Sequence, residues 1–162
     1  MPPTPPAADA ALLARAVALA TENARTGRGG PFGAVVARDG VVIAEGTNLV
    51  TATHDPTAHA EIVAIRAACR ALRSHQLDRC VVYASCEPCP MCLGALYWAR
   101  PTAVWFAASR ADAAAAGFDD ALVYAEVAVP PEARRLPFRR ALEVEGRAPF
   151  DALRANGARR PY

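Results

Sequence analysis

Phe32-Gly33-Ala34-Val35-Val36-Ala37-Arg38-Asp39-Gly40-Val41-Val42-Ile43-Ala44-Glu45-Gly46-Thr47 is the stretch on which the fold turns. Two β-branched runs, Phe32 to Arg38 and Val41 to Thr47, flank Asp39-Gly40. An Asp-Gly pair accepts the positive φ angles of a tight turn, so the stretch reads as a β-hairpin. Upstream, Leu12, Leu13, Ala16, Val17 and Ala20 recur at helical spacing. They predict a helix over Ala10 to Thr26, with Asp9 as N-cap and Gly27 to Pro31 ending it. Downstream, a polar loop runs to Pro56, and Thr57 is placed to cap a helix to Leu72 with Ile62, Ile65, Ala68 and Cys69 inside. Cys80 to Ala84 reads as a buried strand, and Pro88 and Pro90 mark the first turn of a helix from Cys89 to Ala99. Val104 to Ala107 reads as a strand, and Gly117-Phe118-Asp119-Asp120 separates two short helical pieces. A short strand near Ala141 to Val144 and a helix from about Pro149 complete the reading. A hairpin followed by alternating helices and strands defines an α/β domain, with a mixed sheet covered by helices on both faces.

A chain of 162 residues is long enough to bury one sizeable core. All 18 basic residues are Arg, and the net charge is only +2. No run of them forms a basic stripe, so no nucleic-acid partner is implied. No apolar run approaches the roughly 18 residues that cross a bilayer, so no membrane partner is implied either. Residues 1–8 read as a flexible extension without the basic start and apolar stretch of a signal peptide, and residues 9–162 as one domain. The expected location is cytoplasmic. The five Cys are an odd number, and three crowd into Cys86, Cys89 and Cys92. In a reducing compartment that crowding points to metal rather than to disulfides.

Two short segments carry the chemistry: His59-Ala60-Glu61 and Pro88-Cys89-Pro90-Met91-Cys92. Each begins a predicted helix. Cys89 and Cys92 stand at i and i+3, so both sulfurs share one helical face. The dipole at a helix N-terminus favours thiolate, which is the form that binds metal. His59 supplies an imidazole from the neighbouring helix. Three protein ligands leave the fourth tetrahedral position of a zinc ion open for water, which is the arrangement of a catalytic site. Glu61, two residues past His59, can reach such a water instead of the metal and move its protons. Zinc deaminases of bases combine these parts. Taken singly, His59 reads as a satisfied polar residue and Glu61 as a solvated helix charge. A lone CxxC reads as half of a structural zinc site, but that needs four protein ligands. The Cys86, Cys89, Cys92 run also resembles part of an iron–sulfur pattern; no fourth Cys follows at ligand spacing, and His59 and Glu61 would go unused. A non-enzymatic alternative is a zinc-stabilised binding module. Cys69 and Cys80 read as core thiols.

Pro31-Phe32-Gly33-Ala34-Val35-Val36, Asp55-Pro56-Thr57-Ala58-His59-Ala60-Glu61 and Ser85-Cys86-Glu87-Pro88-Cys89-Pro90-Met91-Cys92 together resemble the cytidine-deaminase superfamily, on its branch with guanine deaminases and tRNA adenosine deaminases. Leu93-Gly94-Ala95-Leu96-Tyr97-Trp98-Ala99-Arg100-Pro101, Ala116-Gly117-Phe118-Asp119-Asp120 and a terminal Tyr are similar to the guanine deaminases of bacteria. The resemblance implies a three-layer α/β/α fold around a central five-stranded mixed sheet. It also implies a homodimer that exchanges C-terminal segments, here residues 145–162. One zinc per subunit would sit on His59, Cys89 and Cys92, with Glu61 as proton shuttle. Phe32, Asn48, Ala60, Trp98 and Asp120 would meet the substrate, together with Tyr162 from the partner subunit. The implied reaction is hydrolytic deamination of a nucleobase, guanine, to xanthine and ammonia. Guanosine, ammeline-type triazines and isocytosine remain as alternative substrates. His54 before Asp55-Pro56 is similar to the tRNA-editing branch, whereas the missing basic patch argues against tRNA.

Overall fold

The computed structural model describes residues 6–158. The chain divides into two compact units, Met1–Ala121 and Leu122–Tyr162. The first contains the helices α1 (Ala7–Arg25), α2 (Val50–Thr53), α3 (Ala60–Leu72), α4 (Pro90–Ala99) and α5 (Arg110–Ala115). Its strands are β1 (Gly33–Arg38), β2 (Val41–Thr47), β3 (Cys80–Cys86) and β4 (Ala103–Ala108). They form one sheet in the order β2-β1-β3-β4. β1 runs antiparallel to both β2 and β3, while β3 and β4 are parallel. The sheet is therefore mixed, and α4 lies in the crossover between its parallel pair.

Alternation along β1 explains the three layers. Successive side chains of a strand point to opposite faces. Ala34 and Val36 join a core with Ile65 and Ala68 of α3, Val82 of β3 and Leu96 of α4. Val35 and Ala37 join a second core with Ala16 of α1 and Tyr83 of β3. Both central strands are thus buried on both sides, with α1 on one face and α3 and α4 on the other. The Tyr83 hydroxyl donates to Asp9, which ties the start of α1 to β3. Asp9 is consequently not the N-cap: α1 begins two residues earlier, after Pro6.

The hairpin forms as its turn residues require, with φ of 52° at Asp39 and 80° at Gly40. Gly46 of β2 has a less local role. A Cβ there would stand 2.3 Å from the Ala60 carbonyl oxygen and 2.6 Å from the Ala64 nitrogen. Only glycine lets α3 lie this close to the sheet, and this closeness fixes the height of the α3 N-terminus. Thr57 does not cap α3; its N–H and hydroxyl both donate to Asp55 Oδ1, and His59 takes the N-cap place.

The second unit contains α6 after its first residue (Ala121–Ala128) and α7 (Ala148–Ala155), with short 3-10 turns at Pro131–Ala133 and Glu145–Arg147. Among the described residues the sheet has four strands rather than the five expected. The expected strand at Ala141 to Val144 is absent: Leu142 has φ of 55° and Val144 is in the right-handed helical region. A strand needs a neighbour to take its N–H and C=O groups, and among its described residues this unit has no other strand. No helix among the described residues is long and apolar enough to cross a membrane.

Candidate metal centre and active site

The N-termini of α3 and α4 converge at the carboxyl end of β3, the end where open α/β sheets place their ligands. His59 is the N-cap of α3, and Cys89 is the N-cap of α4. Cys92 lies in the first turn of α4 and is fully buried. His59 Nδ1 is 3.5 Å from Cys89 Sγ and 3.6 Å from Cys92 Sγ. Tetrahedral zinc with bonds of about 2.3 Å to sulfur and about 2.0–2.1 Å to nitrogen would separate these atoms by roughly 3.6 Å. Among the described residues, these three form the group whose ligand atoms fit one metal ion.

Charge supports the same fit. Hydrogen bonding from Cys92 and from His59 lowers the Cys89 thiol to about 4. The Cys92 thiol is pushed up, first by Cys89 beside it and then by burial. Two sulfurs this close disfavour a second thiolate unless a cation lies beside them. A doubly charged, thiolate-seeking ion with a taste for imidazole satisfies all three groups. Cys86 stands apart: its Sγ is directed to the Ser109 carbonyl oxygen at 3.5 Å, and burial raises its thiol.

A cavity of about 610 Å³ opens beside the ligands. His59, Glu61 and Cys89 line it, together with Phe32, Asn48 and Asp120. Glu61 is only 8% exposed, and burial, with the Cys89 charge adding, holds its carboxyl above the usual carboxylate range. Asp120 is shifted upward as well, by burial first and by Cys89 second. Asn48 Oδ1 accepts from the backbone N–H groups of Gly30 and Val50, each at 3.3 Å. Phe32 meets Phe118 edge to face with ring centroids 5.0 Å apart, an attractive aromatic geometry.

The structure does not bring every expected residue into this cavity. Ala60 is wholly buried in the α3 core. Trp98 stands 64% exposed on α4 and is not part of the cavity wall. Tyr162 lies outside the described residues. Conversely, the sequence reading did not single out Phe118, Glu87, Arg110 or the Gly29-Gly30 loop as site residues, yet all line the cavity. Phe118 sits beside Asp119-Asp120 in a segment read only as a break between helices. Its contact with Phe32, 86 positions earlier, leaves no local signal.

A mixed sheet with one imidazole and two thiols gathered at two helix N-termini, and a buried carboxyl beside them, is the frame of a zinc deaminase. The chain belongs to the cytidine and deoxycytidylate deaminase zinc-binding family, whose zinc-binding region it matches over residues 6–108. Zinc is the metal that such a region binds, and the His59, Cys89 and Cys92 group fits one ion of it. Guanine deaminase of Bacillus subtilis (strain 168) is 55% identical over 150 residues, covering 93% of this chain and 96% of that one. The X-ray structure of guanine deaminase from Bacillus subtilis superposes with a TM-score of 0.92 at 55% identity, covering 94% of this chain and 97% of the other. A tRNA-specific adenosine deaminase of Aquifex aeolicus (strain VF5) is 44% identical over 78 residues, which is 48% of this chain and 52% of that protein.

Proposed function

We propose that the chain hydrolyses guanine to xanthine and ammonia in a zinc-dependent reaction. One juxtaposition carries the proposal: the buried Glu61 carboxyl lines the same cavity as the metal ligands and Asp120. Likeness to a guanine deaminase along nearly the whole chain supports it. When bound, zinc supplies a Lewis acid that makes water nucleophilic near neutral pH.

Glu61 then moves the protons. Guanine carries its exocyclic amine on C2, between N1 and N3. As the water oxygen bonds to C2, Glu61 takes one water proton and gives it to N3. It takes the remaining hydroxyl proton and passes it to the amine; the C2–N bond breaks and ammonia leaves. The two protons of water end on N3 and in ammonia, and the oxygen becomes the new carbonyl. A carboxyl raised by burial suits this traffic, because it gives up and regains a proton nearer neutrality. Asp120 accepts hydrogen bonds from ring N–H groups, Asn48 binds the purine edge, and Phe32 supplies an apolar wall. Ala60, Trp98 and Tyr162 are kept as substrate contacts on the family resemblance.

Ammonia release over a panel of guanine, guanosine, ammeline, isocytosine, adenine and cytosine tests the substrate. We expect guanine to lead. Adenine lacks the N–H pattern that Asp120 accepts, and an acceptor cut off from water by a bound base and left unpaired is costly. Comparable rates on cytosine or on a tRNA stem-loop would remove guanine from the proposal.

The enzyme is further proposed to be a cytoplasmic homodimer that exchanges residues 145–162, so that Tyr162 reaches the partner's cavity. Apolar side chains of the second unit support a covering partner: Leu142 is 71% exposed, Val144 70% and Phe150 61%. Exchange of identical segments is a low-cost route to a twofold dimer. Two inactive proteins, Glu61→Gln and Tyr162→Ala, are mixed under conditions of subunit exchange. Heterodimers should regain one working site out of two. No recovery, despite confirmed exchange, would place Tyr162 in its own subunit's site; an active Tyr162→Ala protein would place it in none.

A further inference from the structure

The buried stripe of α1 runs Ala16, Ala20, Asn23, two alanines followed by an amide. A buried amide costs stability unless its hydrogen bonds are made. Asn23 is 4% exposed, and its Nδ2 donates to two backbone carbonyls, those of Gly30 and Asn48, each at 2.9 Å. The backbone carbonyl of the same residue accepts from the Thr26 hydroxyl at 3.2 Å and from the Arg28 N–H at 3.3 Å. One residue thus joins the end of α1, the loop before β1 and the loop after β2.

The two loops meet at Gly29. A Cβ there would stand 2.0 Å from the Asn48 carbonyl oxygen and 3.0 Å from Asn23 Nδ2. No side chain fits between them. The close approach has a consequence for the Asn48 amide, because it brings the Gly30 N–H to Asn48 Oδ1, next to the N–H of Val50. An amide oxygen has two lone pairs, and both are then engaged. The amide keeps one orientation, with Oδ1 on the backbone and Nδ2 left to the cavity that Asn48 lines.

We infer that Asn23 is a positioning residue for substrate binding: it holds the Gly29-Gly30 backbone against Asn48, so that Asn48 offers its N–H, and not its carbonyl, to an acceptor on the ring. The inference rests on the reading of the cavity as a guanine site. Without Asn23 the loops lose their shared donor, the Asn48 amide can turn over, and a carbonyl then faces the acceptor nitrogen or oxygen of the purine. That pairing is repulsive and leaves both groups unsatisfied.

The test is a double-mutant cycle read by calorimetric titration of guanine into zinc-loaded protein carrying Glu61→Gln, which stops turnover. Guanine should bind this reference protein; failure to bind there overturns the guanine reading and this inference with it. Given binding, Asn23→Ala should weaken it by at least ~10-fold, within the range for residues sharing one hydrogen-bond network. With Asn48→Ala already present, Asn23→Ala should add less than ~2-fold. The melting temperature should drop by the same amount in both backgrounds, which separates loss of packing from loss of orientation. If Asn23→Ala yields no folded protein, Asn23→Ser, which keeps one donor and loses the other, carries the same cycle. Equal weakening with and without Asn48, or no weakening in the reference, overturns the role of Asn23 while the guanine reading stands.

Discussion

Replacing Glu61 by Gln should leave zinc at about one per chain and lower guanine turnover by ~10²–10⁴-fold, the usual loss when a general acid–base group is removed. Gln keeps the size of the side chain and can still hydrogen bond, but it cannot carry a proton from water to N3 or on to the amine. The substitution should also be tolerated by the fold. Glu61 lies in the first turn of α3, where a carboxylate gains from the helix dipole, but it is already held above the ordinary carboxylate range by burial. A neutral amide in that place removes a desolvated charge. Metal analysis and single-turnover ammonia release on the same preparation check both halves. Near-native turnover would take Glu61 out of the mechanism.

Loss of Cys92 should be still more severe. Cys92→Ala is expected to bring zinc from about one per chain to near zero and turnover to background, because two protein ligands do not make a catalytic zinc site. Cys86→Ala, three residues before the first ligand thiol, should retain both. The two cysteines differ in what their sulfurs face: Cys92 Sγ is 3.6 Å from His59 Nδ1, whereas Cys86 Sγ is spent on the Ser109 carbonyl. Removing Cys92 also takes away the first of the hydrogen bonds that hold the Cys89 thiol low, and leaves no second sulfur to share a cation. The contrast between the two variants is the measurement that matters. Zinc lost from Cys86→Ala and kept in Cys92→Ala would reverse the ligand assignment.

The hairpin was legible because its information is local: Asp39-Gly40 sets the turn, and the flanking β-branched runs set the strands. His59, Cys89 and Cys92 were legible for a related reason, since each sits within three residues of a helix start. What escaped was set by contacts between distant segments. Thr57 looked like a helix cap, but Asp55 claims its hydroxyl, and His59 takes the cap position. Residues 141–144 have strand-like composition and, among the described residues of their own unit, no strand to pair with. Phe118 meets Phe32 in the cavity wall, and Asn23, behind that wall, bonds to the Gly30 and Asn48 carbonyls of two loops. A hint of Asn23 did exist: an amide falls on a helical stripe where its neighbours at i−3 and i−7 are alanines. Such a break in an apolar stripe is worth reading as a question about function.

The placement of the metal ligands on two separate helices has a meaning for the chain as a polymer. Cys89 is 30 residues from His59, and Cys92 is 33. An ion held by all three staples that interval into a ring. In the chain-entropy picture, closing a ring of that size withdraws conformations from the unfolded ensemble worth roughly 3–4 kcal/mol, comparable to a disulfide. The same three side chains would thereby also act as a reversible cross-link, in a chain whose five cysteines form no disulfide.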